Sequence, residues 1–167
     1  FLDNVDLMST SGPNHFGNKL KNSLESLGCT FGFEKSVDVQ LSFINVRNRF
    51  PSVPLVLRLD GIYFNSKFNF NQQNSPILES YRKADGVVFQ TQFNKDLIFN
   101  YFGKHDNYSI IRNGADLDFI QNIRPFNHQV INRAEKIWSC ASSWRPHKRL
   151  DENIKYFLEH SGPSDCL

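Results

Sequence analysis

The stretch Val53-Pro54-Leu55-Val56-Leu57-Arg58-Leu59-Asp60-Gly61, with Ser75-Pro76-Ile77-Leu78 after it and Gly86-Val87-Val88-Phe89-Gln90 after that, decides the fold. The first run is continuous enough in apolar residues for an inner strand, and it stops at a carboxylate followed by glycine. Ser75-Pro76 reads as a cap and a first-turn proline opening a helix through Ile77, Leu78, Tyr81 and Ala84. The third run is a short apolar strand. Strand, helix and strand in that order make a βαβ unit, which places the two strands parallel in one sheet.

The same alternation extends in both directions. Upstream, Val5 to Met8 reads as a short strand and Ser9 to Gly17 as a loop kept irregular by small residues and a proline. Phe16, Leu20, Leu24 and Leu27 then share one helical face, and Gly28 stands where a left-handed terminator belongs. Val37, Val39, Leu41 and Phe43 alternate with Asp38, Gln40 and Ser42, which predicts a strand with its apolar face buried. Tyr63 to Asn74 is rich in Asn, Gln and Phe without a clean period and reads as a loop. Downstream, Phe93, Leu97, Ile98, Tyr101 and Phe102 form a helix face closed by Gly103. The strand Tyr108 to Ile111 runs into Arg112-Asn113-Gly114-Ala115-Asp116.

Asp118 to Arg133 is polar and contains Arg124-Pro125, so a domain boundary is expected near it, dividing the chain into residues 1–130 and 131–167. Beyond it, Lys136 to Ala141 reads as a strand, Ser142 to Lys148 as a loop, and Leu150, Ile154, Phe157 and Leu158 as a helix face. One strand and one helix cannot bury themselves, and both ends of the chain look cut, so a truncated second domain is expected. The fold class is α/β: a Rossmann-like parallel sheet flanked by helices, with the first strand and helix of a second Rossmann-like domain.

Composition excludes more than it names. The 167 residues are 40% hydrophobic and 14% aromatic, enough for a core, and 19 basic against 17 acidic side chains leave a formal charge of +2. No stretch concentrates one sign, which argues against a nucleic-acid partner. Cys29, Cys140 and Cys166 are odd in number and lack paired spacing, so neither a disulfide framework nor a zinc site is indicated, and a reducing, cytoplasmic setting is the simpler expectation. No run of about 18 apolar residues predicts a transmembrane segment. His15, His105 and His147 show no metal-ligand spacing.

Four places could carry chemistry. Gly12, Pro13, Asn14 and Gly17 lie where a strand leads into a helix, a context in which free N–H groups and the helix dipole attract phosphate. The loop lacks both the dinucleotide fingerprint and the Gly-Lys-Ser/Thr ending of a P-loop, and a plain strand–helix turn reads equally well. Ser142-Ser143-Trp144-Arg145-Pro146-His147-Lys148-Arg149 could clamp a diphosphate through its cations or be a solvated basic turn. Asp60, at a strand end, could face sugar hydroxyls and developing positive charge, or cap its own turn. Asn113-Gly114 is by itself a turn signal.

In order, these segments resemble the large glycosyltransferase group 1, family 4, whose GT-B fold pairs two Rossmann-like domains. The resemblance covers nearly the whole chain, through Ser11-Gly12-Pro13-Asn14-His15-Phe16-Gly17, Leu57-Arg58-Leu59-Asp60-Gly61, Ala84-Asp85-Gly86-Val87-Val88-Phe89-Gln90-Thr91, Ile111-Arg112-Asn113-Gly114-Ala115-Asp116 and Trp144-Arg145-Pro146-His147-Lys148-Arg149-Leu150-Asp151. It implies retaining transfer of a sugar from a nucleotide-diphosphate sugar to a glycan, lipid-linked or small-molecule acceptor, with no metal or other cofactor. A peripheral place at a membrane is compatible with such acceptors.

By the same resemblance, Gly12 to Gly17 approach the donor diphosphate from the first domain and Lys148 binds it from the second. The position of Ser143 is usually arginine in the family, so Arg145 substitutes for it or the contact is lost. Asp60 lies near the transferred sugar and acceptor, and Asn113 marks the approach to the interdomain crossing. Most of the donor-side domain would follow Leu167, so residues 1–167 alone are expected to turn over weakly or not at all. An epimerase or phosphorylase of the same fold would need further acid–base residues, and a non-catalytic module binding a glycan or protein through Phe64, Phe68 and Phe70 is the alternative from another class.

Overall fold

The computed structural model describes residues 1–167 except 10, 33–36, 125, 126, 143 and 145–147. Two compact units divide the described chain, Phe1–Gly114 and Ala115–Leu167, so the division falls earlier than the one expected at residue 130.

In the first unit, β1 (Leu2–Asp3), β2 (Gln40–Phe43), β3 (Leu55–Leu59), β4 (Gly86–Phe89) and β5 (Tyr108–Ile110) form a five-stranded sheet in that order, parallel throughout. Leu57, Leu59, Val87 and Phe89 turn to one face. There α2 (Phe70–Lys83) and α3 (Gln92–Phe102) bury Ile77, Tyr81 and Ile98 against them. Arg58 and its register partner Phe43 turn to the other face, where Phe16 of α1 (Gly12–Ser26) packs on both. The unit is thus an α/β layer structure with helices on the two faces of a parallel sheet. Gly28 (φ 87°) closes α1 and Gly103 (φ 89°) closes α3, both in the left-handed region as their positions demand.

Several elements begin elsewhere than the pattern predicted. The first strand is Leu2–Asp3, not Val5 to Met8, because Asn4 turns out of the strand at φ 58° and its amide donates to Phe43 O (2.7 Å). Helix α1 starts at Gly12 instead of near Phe16: Pro13 lies in the first turn, where its missing N–H costs nothing, so Gly12 to Gly17 are helical and not a loop. Helix α2 starts at Phe70, capped by Asn69 accepting from Gln72 N (3.1 Å), which leaves Pro76 inside the helix and shortens the loop to Tyr63–Asn69. In α3, Phe93 (75% exposed) and Tyr101 (58%) lie off the buried face; Leu97, Ile98 and Phe102 keep it.

The alternation in β2 holds only in part: Phe43 is fully buried as expected, but the polar positions are buried as well. Gln40 and Ser42 are fully buried and Val39 is exposed. Ser42 is satisfied by Asp3, itself 1% exposed, which accepts from Ser42 Oγ (3.0 Å), Arg47 N (2.8 Å), Asn48 N (3.0 Å) and Asn48 Nδ2 (3.2 Å), while Gln40 Nε2 donates to Ser42 Oγ (3.0 Å) and Asn48 O. Gln40 Oε1 accepts from Phe50 N (3.0 Å). A buried carboxylate saturated with donors is tolerable where an unpaired one is not, and this knot pins the connection between β2 and β3.

The second unit holds α4 (Leu117–Gln121), α5 (Gln129–Arg133) and α6 (Leu150–His160), so the expected linker is partly helical. In place of the strand Lys136 to Ala141 there is a single parallel bridge, Ile137 to Cys166, closed by Cys166 N to Lys136 O (3.0 Å) and Trp138 N to Cys166 O (2.8 Å). Trp138 packs edge-on against Phe157 of α6 at 5.9 Å. Leu158 is 69% exposed and does not share that face.

Candidate functional site

Arg58 is a charge inside an otherwise apolar inner strand, and a guanidinium is not buried without partners. At 4% exposure it has them. Its carbon Cζ lies 4.0 Å from the Phe16 ring centroid and 5.2 Å from that of Phe43, a cation over two π faces. Its Nη1 donates to Asp60 Oδ1 in a close ion pair and its Nη2 to Asn113 Oδ1 at 2.8 Å. Burial pulls the guanidinium below its ordinary value, and the attraction of Asp60 works against that pull.

The network closes on itself. Gln90, the residue after β4, donates through Nε2 to Asp60 Oδ1 and accepts from Asn113 Nδ2 at 3.3 Å. Asp60, Gln90 and Asn113 follow the carboxyl ends of β3, β4 and β5, the edge at which open α/β sheets bind their ligands. Both short contacts fall on Oδ1 of Asp60, whose side chain is 27% exposed, and Oδ2 has no hydrogen-bond partner among the described residues. The arrangement can therefore present one fixed carboxylate oxygen to a ligand. It also answers how Asp60 is held: by Arg58 and Gln90 and not as a cap of its own turn. Gly61 follows at φ 156°, and beneath it Asn94 is 5% exposed with an unpartnered Oδ1.

Phe16 carries the network to α1. That helix starts with no side-chain bond from Ser11, so its first-turn N–H groups lack a side-chain cap. Gly12 is exposed, with nothing within 4 Å of where a Cβ would stand, and Asn14 Oδ1 accepts from Asp6 N (3.0 Å). Gly17 faces the protein instead: a Cβ there would stand 2.6 Å from Val5 Cγ1.

Of the residues expected to bind donor from the second unit, Ser143 and Arg145 lie outside the described residues. Lys148 is exposed, its carbonyl accepting from Asn153 Nδ2 at 3.1 Å. Asp151 and Glu152 occupy the first turn of α6, where they already complement the positive end of its dipole. Sequence reasoning singled out Asp60 and Asn113 but missed Arg58, Gln90 and Asn94. For Arg58 the signal was present, a lone cation in an apolar strand. Among the described residues no group of His, Cys, Asp and Glu is placed to hold a metal ion, and no helix is long and apolar enough to cross a membrane.

Fold and site together define a parallel-sheet α/β chain with a polar network on its carboxyl edge. Comparison with protein-family models, with curated proteins and with solved structures finds no match for the chain.

Proposed function

We propose that the chain is part of a retaining glycosyltransferase of the GT-B type, with residues 1–114 as its acceptor-side domain and residues 115–167 as the start of its donor-side domain. The observation that carries this reading is Arg58, which contacts Phe16 of α1 on one side and holds Asp60 on the other. Departure of a nucleotide diphosphate builds negative charge on the leaving group and positive charge on the sugar ring. A helix N-terminus for the former and a fixed carboxylate oxygen for the latter lower that barrier when both are already in place. Lys148 would add a cation on the diphosphate from the donor side.

The test is release of nucleotide diphosphate from a panel of nucleotide sugars, with and without glycan acceptors, by the protein in its natural length. Release that falls at least about 100-fold in Asp60→Asn, and that Lys148→Ala also lowers, supports the reading. A folded protein inert toward every donor sinks it.

One observation favours a second reading. Tyr63, Phe64 and Phe68 are 51%, 65% and 61% exposed on the loop that follows Asp60, while Ile62 is buried at the root of that loop. Exposed aromatics on a rooted loop suit a non-catalytic glycan- or protein-binding module. Glycan binding lost in Phe64→Ala/Phe68→Ala, in a protein without transfer activity, would select it.

A further inference from the structure

We infer that Asn113 is a site of spontaneous covalent modification, deamidation through a cyclic imide with Gly114, and that the Arg58 network both promotes the reaction and responds to its product. Asn113-Gly114 is the one Asn-Gly pair in the sequence. Cyclisation needs the backbone nitrogen of the following residue to reach the side-chain carbon Cγ, and a glycine there places no Cβ in the way. Nothing lies within 4 Å of where a Cβ of Gly114 would stand, residues 111–116 form no regular secondary structure, and Asn113 and Gly114 are both exposed. Gly114 N donates to no group among the described residues, so no hydrogen bond has to break before it reacts.

The guanidinium adds what an open loop lacks. An arginine only donates, so the carboxamide atom that meets Arg58 Nη2 at 2.8 Å is Oδ1, and Nδ2 turns to Gln90 Oε1 at 3.3 Å. Attack on Cγ moves negative charge onto Oδ1. Arg58, 4% exposed, already holds a charged N–H on that atom, the arrangement that stabilises an oxyanion where it forms. The longer bond, to Gln90, is the one the leaving nitrogen gives up.

The Gly114 nitrogen bonds to Cγ as its proton passes to water. The Cγ–Nδ2 bond then breaks, and Nδ2 takes its proton from water and leaves as ammonia. A further water opens the imide at either carbonyl, so the sum is asparagine and water to aspartate or isoaspartate and ammonium. Aspartate at 113 sets a second carboxylate on Arg58 in competition with Asp60, and leaves Gln90 Oε1 facing an oxygen where it had a donor. Gln90 must turn, and its Nε2 loses Asp60 Oδ1. Modification of Asn113 thus releases Asp60 from its fixed position. The inference does not rest on the transferase reading.

The experiment incubates the 167-residue chain at mildly alkaline pH beside a synthetic peptide of Asn107 to Phe119, which has the same Asn-Gly pair without Arg58. Peptide mass spectrometry and enzymatic methylation of isoaspartate follow both. Asn113 should exchange NH for O about three-fold or more faster in the folded chain than in the peptide. Gly114→Ala, at a φ outside the left-handed region, should fold and slow the reaction by about ten-fold. Asn113→Asp, made directly, should shift the side-chain amide signals of Gln90. An Asn113 that stays an amide in the folded chain or reacts no faster than in the peptide overturns the inference. An unchanged rate in Gly114→Ala, or an undisturbed Gln90 amide in Asn113→Asp, does so as well. None of these readouts involves sugar transfer, so a failure here is distinguishable from a failure of the transferase reading.

Discussion

The Phe16 ring of α1 lies 4.0 Å from Cζ of Arg58 in β3, and this contact joins the helix to the strand that carries Asp60. A desolvated guanidinium over an aromatic face is worth about 2 kcal/mol, whereas a leucine in the same place keeps the apolar contact and loses the π face. Phe16→Leu should therefore lower stability by about 1–2 kcal/mol, and Arg58→Ala by about 3–5 kcal/mol because it also strands Asp60 and Asn113. Urea unfolding of both single variants and the double variant should return a coupling of at least about 0.5 kcal/mol between them. Strict additivity would mean that the two side chains touch without sharing energy.

The two glycines at the ends of the Gly12-to-Gly17 segment should respond oppositely to alanine. At Gly17 a Cβ would meet Val5 Cγ1 at 2.6 Å, so Gly17→Ala must push α1 from the β1 loop and cost about 1–3 kcal/mol. At Gly12 nothing lies within 4 Å, so Gly12→Ala should be neutral or stabilising by up to about 1 kcal/mol through the unfolded chain. Thermal melts of the two variants check this. A Gly12→Ala protein that keeps its stability but loses nucleotide-sugar affinity would place the ligand at the start of α1.

The parallel sheet was legible because β3 and β4 are short apolar runs separated by one helix, and burial on both faces needs little else. The closing glycines of α1 and α3 were legible for a local reason, their left-handed φ. Helix starts were not: Ser75-Pro76 offers a better cap than Asn69 locally, yet the chain accepts Pro76 in mid-helix to bury Asn74, whose side chain clasps Tyr63 N (2.8 Å) and Tyr63 O (2.6 Å). The faces of β2 were half legible: alternation puts Phe43 inward, where it lies, but assigns polar residues outward, and only the pairing of Asp3 in β1 with Ser42 makes Gln40 and Ser42 a second buried pair. Asp60 could be found as a strand-end carboxylate. Its partners could not, since Arg58, Gln90 and Asn113 come together only when three strands pair in register.

Tyr81 gives the fold an alkaline limit. It is 3% exposed, its hydroxyl donates to Gly103 O at 2.8 Å, and burial pushes its pKa up to about 12 from an ordinary 10.0. The folded protein holds this proton more tightly than the unfolded chain, so the contribution is complete below pH 10.0 and is lost as pH rises through about 12. Melting temperature should fall across that window, with tyrosinate absorbance of one residue appearing only on unfolding. Tyr81→Phe should cost about 1 kcal/mol at neutral pH for the lost hydrogen bond and flatten the alkaline decline. A decline of unchanged steepness in Tyr81→Phe would assign it to other groups.

Asp3 and Asp6 are three positions apart and should differ most sharply of all. Asp3 lies at 1% exposure with Ser42, Asn48 and two backbone N–H groups donating to its carboxylate, whereas Asp6 is exposed and its carboxylate accepts only Met8 N among the described residues. Asp3→Asn turns one acceptor into a donor that faces donors, leaving at least one buried N–H or hydroxyl unsatisfied, and each such group costs about 1–3 kcal/mol. The expected loss is therefore about 2–4 kcal/mol by urea unfolding, with faster amide exchange at Arg47, Asn48 and Phe50, whose N–H groups hang on Asp3 and Gln40. Asp6→Asn, which keeps an acceptor for Met8 N, should stay within about 0.5 kcal/mol of the parent. If Asp3→Asn proved as mild as Asp6→Asn, the connection between β2 and β3 would be held by the sheet register alone.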